Sequence, residues 1–422
     1  MEITITAKIQ LVATGEQKKL LSETMASYRN SCNYVSDYVF SNHDYKQFSV
    51  QKAVYEQVRS LYKIGSQMAC SVIRTVLTSY RTIKSSGLSH IKPRFRLPQY
   101  DLVWNRDYSL NKNVFSVNTL QGRIKVPYYS KGVEQYFDKD KYTFGTAKLV
   151  CKKDKYFLHI PVTFEVPDCN DSEIQNVVGV DRGINFVITT YDSNGKSGFV
   201  SGKAIKHKRA KYADIRKELQ IRKTSSSRRR LKRIGNRENR WMQDVNHCVS
   251  KALVLINPKN TLFVLEDLSG IRSATERVKR KNRYVSVSWS FYDLEQKIDY
   301  KSKKYGSKMI KVDPAYTSQT CPKCGHTERS NRNKKKHVFI CKNCGYTSND
   351  DRIGAMNLHR KGIEYLVPDA VATEHASVAR GPVSGPDATP RCCASSMRQN
   401  VGEPKIHILR GSCKPTTSVV SN

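Results

Sequence analysis

Val177-Val178-Gly179-Val180-Asp181-Arg182-Gly183-Ile184 decides the reading of this chain. A short apolar run closed by an aspartate and flanked by glycines reads as a buried strand that delivers a carboxylate at its end. Two more carboxylates stand in comparable places. Glu266 closes the run Thr261-Leu262-Phe263-Val264-Leu265, and Asp351, in Asn349-Asp350-Asp351-Arg352, stands just before a helical pattern over 355–366. Strand patterns at 177–181, 185–191, 262–266 and 308–312 alternate with helical ones near 203–255 and 289–305, which predicts an α/β core of RNase H-like type. One aspartate at a strand end is more often a turn or cap residue than a ligand. Three carboxylates from separate elements suit phosphodiester hydrolysis with two Mg²⁺ ions about 4 Å apart, one activating water and one stabilising the leaving 3′ oxygen. Asp267 and Asp350 are immediate neighbours of two of them. Alternation lets one member of each pair face the ions without saying which.

Between the second and third carboxylates lie Cys321-Pro322-Lys323-Cys324-Gly325 and Cys341-Lys342-Asn343-Cys344-Gly345. Two such knuckles converge four thiolates on a tetrahedral Zn²⁺, with a glycine permitting each turn. Four cysteine ligands leave no open position, so the expected zinc is structural. The intervening loop, from Arg329 to His337, is rich in Arg, Lys and Asn and suits a phosphate backbone or a solvated surface. The other cysteines of the 12 show no disulfide framework.

Lys and Arg number 73 against 37 Asp and Glu, a formal net charge of +36. At that imbalance a long polyanion is the expected partner, since each neutralised phosphate releases counterions. The charge is densest in residues 203–240, where 16 Lys/Arg stand against 3 Asp/Glu and Arg228-Arg229-Arg230-Leu231-Lys232-Arg233 is the extreme run. Mean hydropathy is −0.58. No apolar run approaches the roughly 20 residues of a membrane span, and the opening residues lack a secretory pattern, so no membrane partner and a cytoplasmic place are expected.

Upstream, Ile3, Ile5, Ala7, Ile9 and Leu11 alternate as a half-buried strand. Leu21, Met25, Tyr28, Cys32, Val35 and Val39 then recur at helical spacing, as do Val54, Val58 and Leu61, and Met68, Val72, Val76, Tyr80 and Ile83. Strand patterns return at 114–117, 123–126, 147–151 and 156–166. These features predict a β-domain with a helical unit inserted in it. The segment 367–422 carries 6 of the 14 prolines and no Phe, Trp or Tyr, a composition that cannot build a core.

Taken together these residues resemble the TnpB proteins of bacterial insertion sequences, relatives of the type V CRISPR effector nucleases. The resemblance is carried by Gly179-Val180-Asp181-Arg182-Gly183, by Leu265-Glu266-Asp267-Leu268, and by Pro314-Ala315-Tyr316-Thr317-Ser318-Gln319-Thr320 running into the first knuckle. Asp351 with Ala355-Met356-Asn357, and Lys92-Pro93-Arg94-Phe95-Arg96, complete it. It implies a wedge β-barrel domain (1–13 and 88–170), a helical recognition domain (14–87) and a RuvC-like nuclease domain (175–315 and 345–366). It further implies a zinc-ribbon target-nucleic-acid-binding insert (316–345) and a tail (367–422). It implies Mg²⁺ at Asp181, Glu266 and Asp351, favouring Glu266 over Asp267 and Asp351 over Asp350. It also implies nucleic-acid contacts at Arg94, Arg96, Thr317, Ser318 and Gln319, beside Arg228, Arg229, Arg230, Lys232 and Arg233. The activity implied is that of a transposon-associated, RNA-guided DNA endonuclease. One protein copy would hold a guide RNA transcribed from the element end and cut double-stranded DNA beside a short motif, base pairing reading the sequence. One departure stands out: the family's Asp-x-Asn-Ala-Ala is here Asp351-Arg352-Ile353-Gly354-Ala355. Two other readings stay open, an RNA-guided repressor that binds without cleaving and a transposase accessory protein. Three converging carboxylates argue against the first, and the lack of an evident end-binding domain against the second.

Overall fold

Apolar alternation in the first residues becomes strand β1 (Glu2–Leu11), with Ile3, Ala7, Ile9 and Leu11 buried. The computed structural model describes residues 1–129, 133–138, 140–268 and 291–367, in two units divided between Val166 and Pro167. In the first unit β1 leads into α1 (Gly15–Asn42), α2 (Gln47–Tyr62) and α3 (Ser66–Ser85). Thr14 caps α1 in a reciprocal box with Gln17, satisfying two backbone donors at the helix start. The chain returns as β2 (Gln99–Leu102), β3 (Tyr108–Leu110), β4 (Val114–Thr119), β5 (Gly122–Tyr129), β6 (Thr143–Phe144), β7 (Ala147–Lys152) and β8 (Lys155–Glu165). Their sheet runs β2-β7-β8-β1-β5-β4-β3, with β6 on β8. The β7–β8 hairpin turns on Lys153 and Asp154, both at positive φ (52° and 59°), as a two-residue turn matched to strand twist requires. One core joins sheet and helices through Met25, Tyr28, Val72, Tyr100, Phe115 and Leu158. The α2 stripe differs from expectation: Val50, Val54 and Val58 are buried, while Leu61 is 62% exposed. The row continues in fours to Tyr62, which leaves Leu61 off the packed face.

In the second unit β9 (Asn176–Asp181), β10 (Phe186–Asp192), β11 (Ser197–Ser201), β12 (Thr261–Glu266) and β13 (Lys308–Val312) form one sheet, ordered β11-β10-β9-β12-β13. β9, β12 and β13 are parallel and β10 and β11 antiparallel, the mixed α/β sheet expected of an RNase H-like core. The short Ser- and Gly-containing β11 shows no apolar alternation and was not legible beforehand. The basic stretch expected as helical resolves into α4 (Lys203–Arg222), α5 (Ser225–Ile234) and α6 (Arg237–Ile256). Breaks fall where Lys223 turns left-handed before the Thr224 cap, and at Gly235. Helix α7 (Phe291–Lys304) packs with α6 on one sheet face, against Val178, Val180, Phe263 and Leu265. The helix start expected at Trp289, and the tail from 368 onward, lie outside the described residues. Among the described residues no helix is long and apolar enough to cross a membrane.

The opposite sheet face carries α8 (Asp350–Leu366), which packs on Val177, Leu262 and Val264 through Leu358. It begins earlier than the apolar pattern suggested. Asn349 accepts from the backbone N–H groups of Asp351 and Arg352, so Asp351 lies inside the first turn and not before it. α8 comes very close to β9. A Cβ on Gly179 would lie 2.0 Å from the Ala355 carbonyl oxygen and 2.5 Å from the His359 nitrogen. Between β13 and α8 three short strands, β14 (Arg332–Asn333), β15 (Val338–Ile340) and β16 (Thr347–Asn349), form a small sheet.

Gly179→Ala is expected to lose more than 3 kcal/mol, past the usual overpacking cost of about 1–3 kcal/mol, because the clash is with backbone that cannot swing aside. Gly15→Ala, with nothing within 4 Å of the added carbon, is the control. Denaturant unfolding of both variants checks this; equal midpoints would show that α8 has room to retreat.

Candidate active site and cysteine cluster

Strand alternation decides which carboxylates meet. Leu262, Val264 and Glu266 share one face of β12, and Val177, Gly179 and Asp181 share the same face of β9, the face α8 covers. Parallel register sets Leu265 beside Val180, so Glu266 and Asp181 end adjacent strands together. Asp267 turns elsewhere: its N–H donates to the Val312 carbonyl and its carboxylate lies 3.6 Å from Lys311. Asp351 arrives from the first turn of α8. Gly354, one turn on, sits where a Cβ would be 3.2 Å from the Asp181 carboxyl carbon.

The electrostatics bear the marks of this crowding. Burial, then the charges of Glu266 and Asp351, push the Asp181 carboxyl well above its ordinary range, and Arg332 opposes them. Burial also raises Glu266, against the Thr317 hydroxyl and Arg182, and raises Asp351, helped by Asp350. Three carboxylates crowded in this way therefore resist joint ionisation until a cation joins them. Their oxygens do not converge on one point. Among the described residues, two groups of possible ligands lie with all ligand atoms within 4.8 Å: the four cysteines, and His337 with Asp350 and Asp351. Asp181, Glu266 and Asp351 do not form such a group.

Several neighbours went unforeseen. Arg182, its side chain wholly buried, donates to the Glu266 carbonyl, to the Phe291 carbonyl at 3.3 Å and to Glu295 at 2.9 Å. Arg332 Nε is 2.9 Å from Asp350 Oδ2 and its Nη2 3.5 Å from Asp351 Oδ1. His337 lies beside Asp350 and takes a hydrogen bond from the Asn185 amide. Arg182 had a local signal, standing next to Asp181; Arg332, His337 and Glu295 meet the site through folding alone.

Thr317 is a correction. Expected on nucleic acid, it is 3% exposed and its hydroxyl donates to Glu266 Oε1. Ser318 and Gln319 are half-buried beside it. Arg94 and Arg96 are exposed on either side of inward-turned Phe95, whose backbone is clamped by Asn33 at 2.8 and 3.0 Å. Arg228, Arg229, Arg230, Lys232 and Arg233 are exposed along α5. An open cavity of about 1040 Å³ between α4 and α5 is lined by Lys208, Lys211, Tyr212, Arg229, Arg230 and Arg233.

The four cysteines meet as their spacing required. Cys321 Sγ lies 3.7 Å from Cys344 Sγ, and Cys324 Sγ 3.5 Å from Cys341 Sγ. These distances are far longer than the roughly 2.05 Å of a disulfide. They match the edge of a tetrahedron with metal–sulfur bonds of about 2.3 Å. Gly325 and Gly345 adopt φ of 75° and 71° after the second cysteine of each knuckle. The Cys324 thiol is lowered to about 6, chiefly by a backbone N–H at His326, which favours the ligating thiolate.

The chain is similar to known proteins over parts of its length. A family profile described as "Probable transposase" matches residues 159–270, and one described as "Cas12f1-like, TNB domain" matches residues 291–358. The chain is 31% identical over 232 residues to the CRISPR-associated endodeoxyribonuclease Cas12f1 of Syntrophomonas palmitatica, covering 51% of this chain and 45% of that protein. It is 27% identical over 240 residues to a TnpB-like protein of Methanocaldococcus jannaschii, covering 56% of this chain and 83% of that one. The chain thus spans about half the length of the Cas12f1 relatives it matches. A cryo-EM structure of a Cas12f1–sgRNA–target DNA complex shares the fold at a TM-score of 0.57 and 14% identity, covering 85% of this chain and 99% of that one.

Carboxyls raised in the fold bind protons that the unfolded chain has released. The Mg²⁺-free protein therefore loses stability as pH rises from about 4 through their folded values. Asp181→Asn is expected to stabilise the Mg²⁺-free chain at pH 8 by about 0.5–2 kcal/mol and to abolish the rise in Tm on adding Mg²⁺. Calorimetry at pH 5 and pH 8 tests both; a less stable variant with an intact Mg²⁺ response would show that Asp181 is unstrained.

Proposed function

We infer that this chain, a relative of the TnpB-like proteins and of the Cas12f1 nucleases, is a transposon-associated, RNA-guided DNA endonuclease that cuts guide-paired DNA beside a short adjacent motif. The observation that carries the reading is the set of crowded carboxyls, Asp181 and Glu266 at the ends of adjacent strands and Asp351 in the first turn of α8, the helix that covers that sheet face. A protein that only bound DNA would have no use for that set. Asp181, Glu266 and Asp351 would hold Mg²⁺, which when bound supplies an activated water and neutralises charge at the leaving 3′ oxygen. Cys321, Cys324, Cys341 and Cys344 would hold a structural Zn²⁺.

The chain's own residues supply the rest. Arg182 fixes the end of β12 by bonding the Glu266 carbonyl while its charge is balanced by Glu295. Asn349 fixes the turn that carries Asp351. The exposed arginines of α5 and the cavity beside them offer a positive track for a phosphate backbone. Residues 1–13 and 88–170, all but the last four of them in the first unit, would act as a wedge carrying Arg94 and Arg96 on its surface, with 14–87 as the recognition helices. Guide RNA and double-stranded target DNA are the partners this arrangement serves, the protein reading shape and motif while pairing reads sequence.

The test is to purify the chain with RNA co-expressed from the gene's 3′ flank and to challenge it, with Mg²⁺, with a guide-matched plasmid library of randomised flanks. Wild type is expected to linearise plasmids sharing a flank motif. Asp181→Ala should bind the same plasmids and cut at least ~10³-fold more slowly, about 4 kcal/mol of barrier. Binding without cutting by both proteins would mark a guided repressor, and absence of co-purified RNA would end the guided reading.

A further inference from the structure

The cysteine-bearing module is built into the carboxylate site. Cys321 and Cys341, both buried, share one small apolar core with Phe339 of β15 and Ile353 of α8, two residues after Asp351. Ile353 is, with Gly354, one of the two residues that depart from the Asp-x-Asn-Ala-Ala motif, and here it is 0% exposed. The Asn357 amide of α8 donates to the carbonyls of Thr317 (2.7 Å) and Thr320 (2.8 Å), which pins the segment entering the first knuckle. Pinned there, Thr317 sets its hydroxyl within hydrogen-bond reach of Glu266, with the Pro314 carbonyl 3.0 Å away as a second acceptor. From the far side, β14 brings Arg332 against Asp350 and Asp351, and the His337 carbonyl accepts the Asp350 N–H. Two of the three carboxylates are thus held by groups that this module delivers.

We propose that the cysteine-bound metal is a positioning element for the nuclease centre. By folding the knuckles it sets Thr317 and Arg332, positioning residues that orient Glu266 and Asp351, and so couples its own occupancy to divalent-ion binding at the three carboxylates. The physical ground is that residues 316–345 own little apolar core beyond Phe339, so they keep their shape through four metal–thiolate bonds. Thr317 is too buried, and too committed to Glu266, to touch a ligand from outside. A ligating carboxylate that loses such a partner loses orientation, which lowers metal affinity about 10–100-fold. The proposal rests on the reading of Asp181, Glu266 and Asp351 as divalent-ion ligands.

The probe is Mn²⁺, a hard ion that prefers oxygen ligands, titrated into the full chain and followed by electron paramagnetic resonance, with zinc content measured in parallel. Thr317→Val, which keeps side-chain shape and should keep its zinc, is expected to weaken Mn²⁺ binding about tenfold, with Thr317→Ser restoring it to within about twofold. Replacing the two exposed thiols, Cys324→Ser with Cys344→Ser, is expected to remove zinc and weaken Mn²⁺ binding at least as much. Should that variant fail to fold, the Thr317 pair decides alone. Wild-type Mn²⁺ affinity in zinc-loaded Thr317→Val would overturn the coupling, provided Asp181→Ala abolishes binding. If Asp181→Ala binds Mn²⁺ as wild type does, the reading of the carboxylates themselves falls, and the coupling with it.

Discussion

The close approach of α8 to β9 is the contact on which the second unit depends. Gly179 on the strand meets the helix backbone at Ala355 and His359, and Gly362, two turns further on, lets Val177 and Val264 press against the helix. With side chains in those places α8 would stand off the sheet. Its first turn would then no longer bring Asp351 beside Asp181 and Glu266. The same contact puts Gly354 against the Asp181 carboxyl, which is why burial outweighs every other influence on that group.

Such a site stores unfavourable electrostatics that the surrounding structure must hold in place. The balance on the α7 side is a buried pair, Arg182 with Glu295, in which the arginine also satisfies two backbone carbonyls. Removing Glu295 would leave Arg182 as an unpaired buried charge, whereas without Arg182 the glutamate would keep Lys311, 3.6 Å from its Oε1. On the opposite side, Arg332 lies across Asp350 and Asp351, and Asp350 is wholly buried. Cations from two different elements thus flank the carboxylates without sitting among them.

Elsewhere much of the positive charge stands exposed along α4 and α5. Helices α4 and α5 leave an open basic cavity between them. Helix α4 is anchored to α6 through Glu238, buried and paired with Arg209 at 3.1 Å and Arg216 at 2.5 Å. Of the carboxylates in residues 203–240 only Glu238 is buried; Asp214 and Glu218 stay exposed among the surface cations.

Much of this was legible before any coordinates. Strand alternation in 2–11, the helical rows of α1 and α3, the apolar runs ending at Asp181 and Glu266, and the two knuckles all report local periodicity or spacing, which the backbone repeats of helix, strand and metal turn impose directly. The start of α8 and the breaks within 203–255 hang on single capping or left-handed residues, and the α2 stripe on whether Leu61 or Tyr62 continues the row, so periodicity alone does not set them. What the chain by itself determined was therefore which residue types must meet: three carboxylates, four thiols and a basic surface. Only the tertiary structure decided that Glu266 and not Asp267 faces Asp181, since strand register and the helix laid across it choose the face. It alone revealed that Thr317, Arg332 and His337 belong to the carboxylate site. Their partners lie 13 to 152 residues away in the chain, and no local pattern encodes a contact made by packing one module against another.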